Sequence, residues 1–179
     1  GQRHQVLGAR DGALRGSDVT SPQLTGTILV TGGAGFIGSA VVRALVRGAG
    51  ARVVTLDSLT YAGNLDSLRE VAGDPRHVLV CADVCDGQAV RTVFETHQPA
   101  AVIHLAAESH VDRSIDAPAH FVHTNVVGTF TLLEEVRRYL AGADAALART
   151  SHLLHVSTDE VYGSLGATGR FDERSPYAP

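Results

Sequence analysis

The sequence predicts an open α/β fold, a doubly wound parallel sheet with helices on both faces. Three observations carry that reading. From Thr27 onward, short apolar runs rich in β-branched residues alternate with segments of helical apolar spacing. Each run is apolar almost throughout, as strands covered on both faces are. A glycine-rich turn joins the first run to the first helical segment. Right-handed crossovers between parallel strands then wind the sheet in both directions. The 179 residues suit one ordinary domain, and 44% hydrophobic with 19% charged residues is enough to build a core.

The elements follow in order. Residues 27–31 (TILVT) form the first strand. Residues 38–50 (GSAVVRALVRGAG) space apolar side chains helically and end in glycine, which predicts the first helix. Residues 52–57 (RVVTLD) and 77–83 (HVLVCAD) are the second and third strands. Asp86 caps a helix that must stop before Pro99. Residues 101–107 (AVIHLAA) are the fourth strand. A long helix fills residues 119–140, with Glu134 and Arg138 as a favourable i,i+4 pair near its end. Residues 152–157 (HLLHVS) are the fifth strand, and the turn-rich tail after them leads to no further element. Residues 1–26 have no hydrophobic period and no signal-peptide core. They read as a disordered leader, with an Arg-containing transit peptide as the alternative. The remainder, 27–179, reads as a dinucleotide-binding domain of Rossmann type, for reasons that lie in the glycine turn.

Composition excludes several classes. A net charge of −4 gives no broad nucleic-acid footprint. No apolar run reaches the roughly 18 residues of a bilayer span, so no membrane partner is expected. Cys81 and Cys85 form C-x₃-C without a second pair, unlike a zinc site. They are expected to be buried or half-buried free thiols in a reducing, cytoplasmic compartment. His120 and His123 stand three apart on a helix, but no acid or cysteine joins them at regular spacing, so no metal is expected. His104 and His155 lie in strands and are expected in the core or bonded to partners. His110 and Arg113 follow the fourth strand, where they either meet a substrate or sit in a solvated loop.

Gly32, Gly35 and Gly38 in TGGAGFIG follow a strand and open a helix. Gly32 permits the tight turn, Gly35 lets amides approach a pyrophosphate, and Gly38 allows close helix–strand packing. The helix start adds unpaired N–H groups and partial positive charge. Asp57 ends the second strand 19 positions after Gly38. An acid there accepts hydrogen bonds from ribose hydroxyls and repels a ribose phosphate, so NAD is the expected cofactor rather than NADP. Asp83 ends the third strand, where adenine would lie; a helix cap is its other reading.

In an open α/β sheet, ligands bind beyond the carboxyl ends of the strands. That edge holds the glycine turn, Asp57, Asp83, LAAES (105–109) and STDE (157–160). Asp159 and Glu160 there are either a solvated turn or an acid and a base. Once hydride transfer has made a sugar ketone, the neighbouring C–H is acidic. A carboxylate can take that proton while a carboxylic acid helps a hydroxyl leave as water. Adjacent carboxylates raise one another's proton affinity, which separates those roles. Thr158 can hydrogen-bond the hydroxyl being oxidised.

TGGAGFIGS, LDSLTYAGNL, AAESHVDRSI, HTNVVGT and HVSTDEVYG together resemble the dTDP-glucose 4,6-dehydratase family, an NAD-dependent branch of the extended short-chain dehydrogenases/reductases. The resemblance runs from Thr27 to Pro179. It implies a lyase that oxidises dTDP-glucose at carbon 4, eliminates water across carbons 5 and 6, and returns the hydride to carbon 6. It implies Glu160 as the base, Asp159 as the acid and Thr158 as a catalytic contact. Phe36, Ile37, Asp57, Ser58, Leu59, Thr60, Asp83, Val84, Leu105, Ala106, Ala107, Glu108, Ser109 and Thr124 would join Gly32, Gly35 and Gly38 in touching NAD. Ser109 and Thr158 would also face the glucose. A homodimer joined through the helices after the third and fourth strands is implied too.

The pattern breaks in two places. The family uses a Tyr and a Lys four residues apart, and this chain has no Lys at all: Gly166 stands four after Tyr162. Tyr177, in SPYAP, belongs to a segment that precedes the catalytic Tyr in the family. Ser58 also stands where the family commonly has Lys. The 179 residues therefore read as the amino-terminal part of an enzyme, short of its substrate domain and of most of its activity. UDP-glucose 4,6-dehydratase has the same chemistry, and LTYAGN argues against it. A non-catalytic NAD-binding domain, or a subunit completed by a partner chain, are the other readings.

Overall fold

A computed structural model describes residues 26–109, 117–166 and 168–179. Five parallel strands form one sheet in the order β3-β2-β1-β4-β5. They are β1 (Thr27–Thr31), β2 (Arg52–Asp57), β3 (His77–Cys81), β4 (Pro99–His104) and β5 (His152–His155). The chain runs outward from β1 through β2 to β3, then returns to the other side of β1 for β4 and β5. The order therefore reverses between β1 and β4, which makes the crevice at their carboxyl ends the place for a ligand.

Alternation along β1 divides the core. Ile28 and Val30 face one layer with Val42, Val46 and Val53. Leu29 faces the other with Val54, Val90, Phe94 and Leu132. Helix α1 (Phe36–Arg43) and a π-helical turn (Ala44–Gly48) cover the first face. Helices α2 (Gly87–His97) and α4 (Thr129–Ala141) pack together over the second. Burying a side chain such as Leu29 or Phe94 contributes about 2 kcal/mol. Asp86 caps α2 by accepting from the Gln88 and Ala89 amides, as its sequence position predicts.

Several boundaries differ from expectation. Helix α1 starts at Phe36, two residues before Gly38, because Gly35 is its N-cap. β3, β4 and β5 end two or three residues early. Their last residues turn toward the crevice, as when the Leu105 amide donates to the Thr31 carbonyl. The long helix is one continuous rod of three parts: α3 (Pro118–Phe121), a π-helical stretch (Val122–Gly128) and α4. Within it Glu134 pairs with Arg137, and Arg138 reaches Glu135 instead of Glu134. Glu135 is also held bidentate by Arg91 of α2, which keeps its carboxyl below the usual range.

β3 and β5 are not covered on both faces. They are the sheet's edges, and Val78, Leu79 and Leu154 are exposed. Cys81 is exposed for the same reason, against the expectation of burial, while Cys85 is half-buried. Short helices Leu65–Leu68 (3₁₀) and α5 (Ala145–Thr150) were not legible from periodicity. The tail does lead somewhere: Tyr162 packs on Phe171 and Tyr177, and the Ala178 amide donates to the Val161 carbonyl. Residues 1–25, His110 and Arg113 lie outside the described residues.

Candidate active site at the carboxyl edge of the sheet

Gly32 adopts φ +69°, and a Cβ there would stand 2.7 Å from the Ala106 amide nitrogen. Only glycine satisfies both the left-handed turn and that approach. At Gly38 a Cβ would stand 2.1 Å from the Gly32 carbonyl oxygen. Gly38 thus lets the helix close on the glycine turn itself, while helix–strand contact falls to Gly33, whose Cβ would meet Thr55 at 2.6 Å. The Gly33 role was missed because the motif carries no separate signal for it. No side chain caps α1 at Gly35, and no acid occupies its first turn. The helix start is thereby left to an anion. Phe36, 93% exposed, and Ile37 stand beside it.

Asp57 is buried at the end of β2. One carboxylate oxygen accepts from the Ala34 amide at 2.9 Å and the other from the Leu59 amide at 2.8 Å. It ties the glycine turn to the loop after β2 while keeping lone pairs for a ribose. That loop carries Ser58, exposed, and Leu59, which sits at φ +52°. A branched residue held in the left-handed region is strained, and such strain clusters at binding loops. Thr60 follows, exposed.

The 105–109 loop crosses over Gly32. At its near end the Leu105 and Ala106 amides both reach the Thr31 hydroxyl at 3.3 Å. At its far end Asn125 accepts from the Glu108 amide at 2.8 Å and donates to the Glu108 carbonyl at 2.9 Å. Tyr61 donates to the Glu108 carboxylate at 2.7 Å. Ala107 and Ser109 are exposed. Asn125 and Tyr61 were missed as site residues; an amide side chain inside a mostly apolar helix was the available signal for Asn125. Thr124, half-buried, precedes Asn125 in the π-helical stretch, and such stretches are common at functional sites.

Asp83 follows β3, exposed, and accepts from the Cys85 amide at 2.8 Å. Val84, expected to touch a cofactor, has its side chain in the second core layer. Asp83, Cys85 and His123 each bring a ligand-type atom within 4.8 Å of the others. Burial and then the nearby Asp83 push the Cys85 thiol up to about 11, so it is protonated at neutral pH and donates to the His123 carbonyl.

The Thr158 hydroxyl accepts from the Glu160 amide at 3.2 Å and so caps a 3₁₀ turn (Asp159–Tyr162). Its proton remains free to donate elsewhere. Asp159 lines an open cleft with Ser157, Thr158, Tyr162 and Tyr177, and Glu160 lies off its walls. Both carboxyl groups are exposed.

A family model described as GDP-mannose 4,6 dehydratase matches residues 29–179. The chain belongs to that family. Within the GDP-mannose 4,6 dehydratase family, its similarity is to the dTDP-glucose branch that the sequence motifs resemble. It is 58% identical over 152 residues to a probable dTDP-glucose 4,6-dehydratase of Sinorhizobium fredii, covering 85% of this chain and 43% of that protein. It is 50% identical over 161 residues to dTDP-glucose 4,6-dehydratase 1 of Escherichia coli, covering 85% and 45%. The chain thus spans less than half the length of the curated relatives it matches. Among solved structures, the dTDP-glucose 4,6-dehydratase DesIV of Streptomyces venezuelae, with NAD and TYD bound, superposes with a TM-score of 0.74 at 46% identity over 86% of this chain and 45% of that one. A UDP-glucose 4-epimerase of Thermus thermophilus complexed with NAD gives 0.72 at 30% identity, over 86% and 44%. The shared fold therefore extends across different sugar chemistries, while the higher identities lie with the dehydratases.

Proposed function

We propose that this chain is the NAD-binding and acid–base portion of a dTDP-glucose 4,6-dehydratase. The observation that carries the reading is the position of Thr158, Asp159 and Glu160 on the same sheet edge as an uncapped, glycine-lined helix start. Glycines 32, 35 and 38, with Phe36 and Ile37, receive the pyrophosphate. Asp57 takes the ribose hydroxyls, with Ser58, Leu59 and Thr60 beside it. Asp83 and the backbone of Val84 border the adenine. Leu105, Ala106, Ala107, Glu108, Ser109 and Thr124 border the other half of the dinucleotide.

NAD supplies the hydride acceptor and donor. The chain's own residues do the rest. Thr158 and Ser109 hold the sugar, with the Thr158 proton directed at the carbon-4 oxygen. Glu160 takes the proton from carbon 5, beside the new carbonyl. Asp159 gives its proton to the carbon-6 hydroxyl, which leaves as water. Carbon 6 then receives the hydride and carbon 5 regains a proton, giving a 4-keto-6-deoxy sugar. The Tyr–Lys pair that the family uses has no counterpart in these residues, since no Tyr here has a Lys four places on.

An apolar stripe of Val122, Val126, Phe130 and Leu133 is exposed along the long helix. It supports a homodimer as the resting state. No helix among the described residues is long and apolar enough to cross a membrane. The remaining expectation is cytoplasmic placement, where nucleotide sugars and NAD meet.

Turnover tests the reading. The natural gene product carrying this chain, supplied with NAD and dTDP-glucose in deuterated water, is expected to release the 4-keto-6-deoxy product with solvent deuterium at carbon 5. UDP-glucose is expected to react more slowly; equal or faster reaction would move the assignment to a UDP-glucose 4,6-dehydratase. No product from either would leave a non-catalytic NAD-binding domain. The 179 residues alone are expected to turn over far more slowly than a full-length relative.

A further inference from the structure

His104 is 1% exposed and lies between two hydroxyls. Its Nδ1 is 2.6 Å from Thr31 Oγ1 and its Nε2 is 3.0 Å from Thr129 Oγ1. The His155 ring packs against it with centroids 5.1 Å apart. None of these contacts belongs to the acid–base machinery, yet they end at the cofactor edge.

Counting protons fixes the direction of the chain of bonds. A threonine hydroxyl has one proton and two acceptor lone pairs. The Ala106 amide points at Thr31 Oγ1 at 3.3 Å, and the Leu105 N–H is shared between that oxygen, also at 3.3 Å, and the Thr31 carbonyl at 3.1 Å; both amides can only donate. Their approach occupies the acceptor side of that oxygen. Its single proton is then left for His104 Nδ1, the remaining hydrogen-bond neighbour among the described residues. Nδ1 must be bare to accept it. The ring proton therefore sits on Nε2 and is donated to Thr129. A second proton on the ring would place two donors face to face at Thr31, and one of the bonds to the loop would have to break.

The loop so held is the one that crosses Gly32, with the Ala106 nitrogen 2.7 Å from where a Gly32 Cβ would stand. Any shift of that amide moves against the glycine turn. We propose that His104 is a positioning residue: as its neutral Nε2–H tautomer it orients the Thr31 hydroxyl, which fixes the first two amides of the 105–109 loop in the arrangement that receives the dinucleotide. This deepens the NAD reading above and rests on it. The groups facing the ring are Thr31 from β1, Thr129 from α4 and His155 from β5. None is an acid that would stabilise a charged ring. Burial, and then His155, lower the His104 pKa to about 4, in keeping with a ring that stays neutral.

The test combines a spectroscopic signature with a conservative rescue. In the 179-residue chain labelled with ¹⁵N-histidine, His104 at neutral pH is expected to show an unprotonated Nδ1 and a protonated Nε2. Thr31→Val keeps the shape but removes the hydroxyl; it is expected to weaken NAD binding about tenfold. Thr31→Ser restores the hydroxyl and is expected to bind NAD within about threefold of the parent. A protonated Nδ1, or Thr31→Val binding NAD as the parent does, overturns the proposal. If Thr31→Val does not fold, the tautomer and Thr129→Val decide: Thr129→Val is expected to leave Nε2–H without its partner and weaken NAD binding, and unchanged affinity overturns the proposal. A parent chain that binds no NAD at all overturns the cofactor reading itself, a result distinct from NAD binding that ignores Thr31.

Discussion

The centre of the sheet's ligand-facing edge and its β5 end are built differently. At β1 and β2 the strands are buried almost throughout, Asp57 is locked by two amides, and the glycine turn is packed against Ala106 within the width of one carbon atom. At β5 the strand is largely exposed, and both acids of the pair are open to solvent. There the Thr158 cap, an aromatic cluster from the tail and the Ala178–Val161 backbone bond hold the acid pair's turn. Cofactor affinity should therefore depend on the centre, and the acids at the β5 end should matter little to it.

Four measurements break or sharpen that contrast, the largest effect first. Gly38→Ala puts a Cβ 2.1 Å from a backbone oxygen that has nowhere to move. It is expected to cost about 4 kcal/mol or prevent folding, read by urea denaturation. Acid should act next through His104. Its folded pKa of about 4 lies below the ordinary 6.5, so below pH 6.5 the unfolded chain takes up a proton that the fold refuses. Stability from this group is constant above that pH. It falls by as much as about 3 kcal/mol as pH drops to 4. The check is the difference between the parent and His104→Asn across pH 7 to 4.5, which cancels the carboxylates that titrate in both.

Truncations compare the centre and the β5 end directly. Val54→Ala in the covered centre is expected to cost about 2 kcal/mol, and Leu154→Ala on exposed β5 less than about 0.5 kcal/mol. Equal costs would show that β5 is covered in solution. The smallest effects belong to Asp159→Asn and Glu160→Gln. Each is expected to change stability by less than about 0.5 kcal/mol and NAD affinity by less than about twofold. A large loss of either would place these acids in the framework instead of the chemistry.

What the sequence made legible follows the same contrast. β1 and β2 are read to the residue because both are buried runs bounded by glycine or polar residues. Gly32 and Asp57 are read because their roles are local to a strand end. The edge strands were read as covered because composition records apolar content but not neighbours; Val78 and Leu154 look like core until the strand order is known. Asn125, Tyr61 and the Thr31–His104–Thr129 chain act across 17 to 75 positions of sequence separation. Nothing in their local pattern marks them. The Glu134–Arg138 pair failed for a simpler reason: Glu135, one position on, faces α2 and draws both Arg91 and Arg138.

The measurement closest to the centre of this account is a titration of the 179-residue chain with NAD and, separately, with NADP. Saturable binding of one NAD per chain, with NADP weaker because Asp57 meets its extra phosphate, is the expected result. No NAD binding, or a preference for NADP, would contradict it.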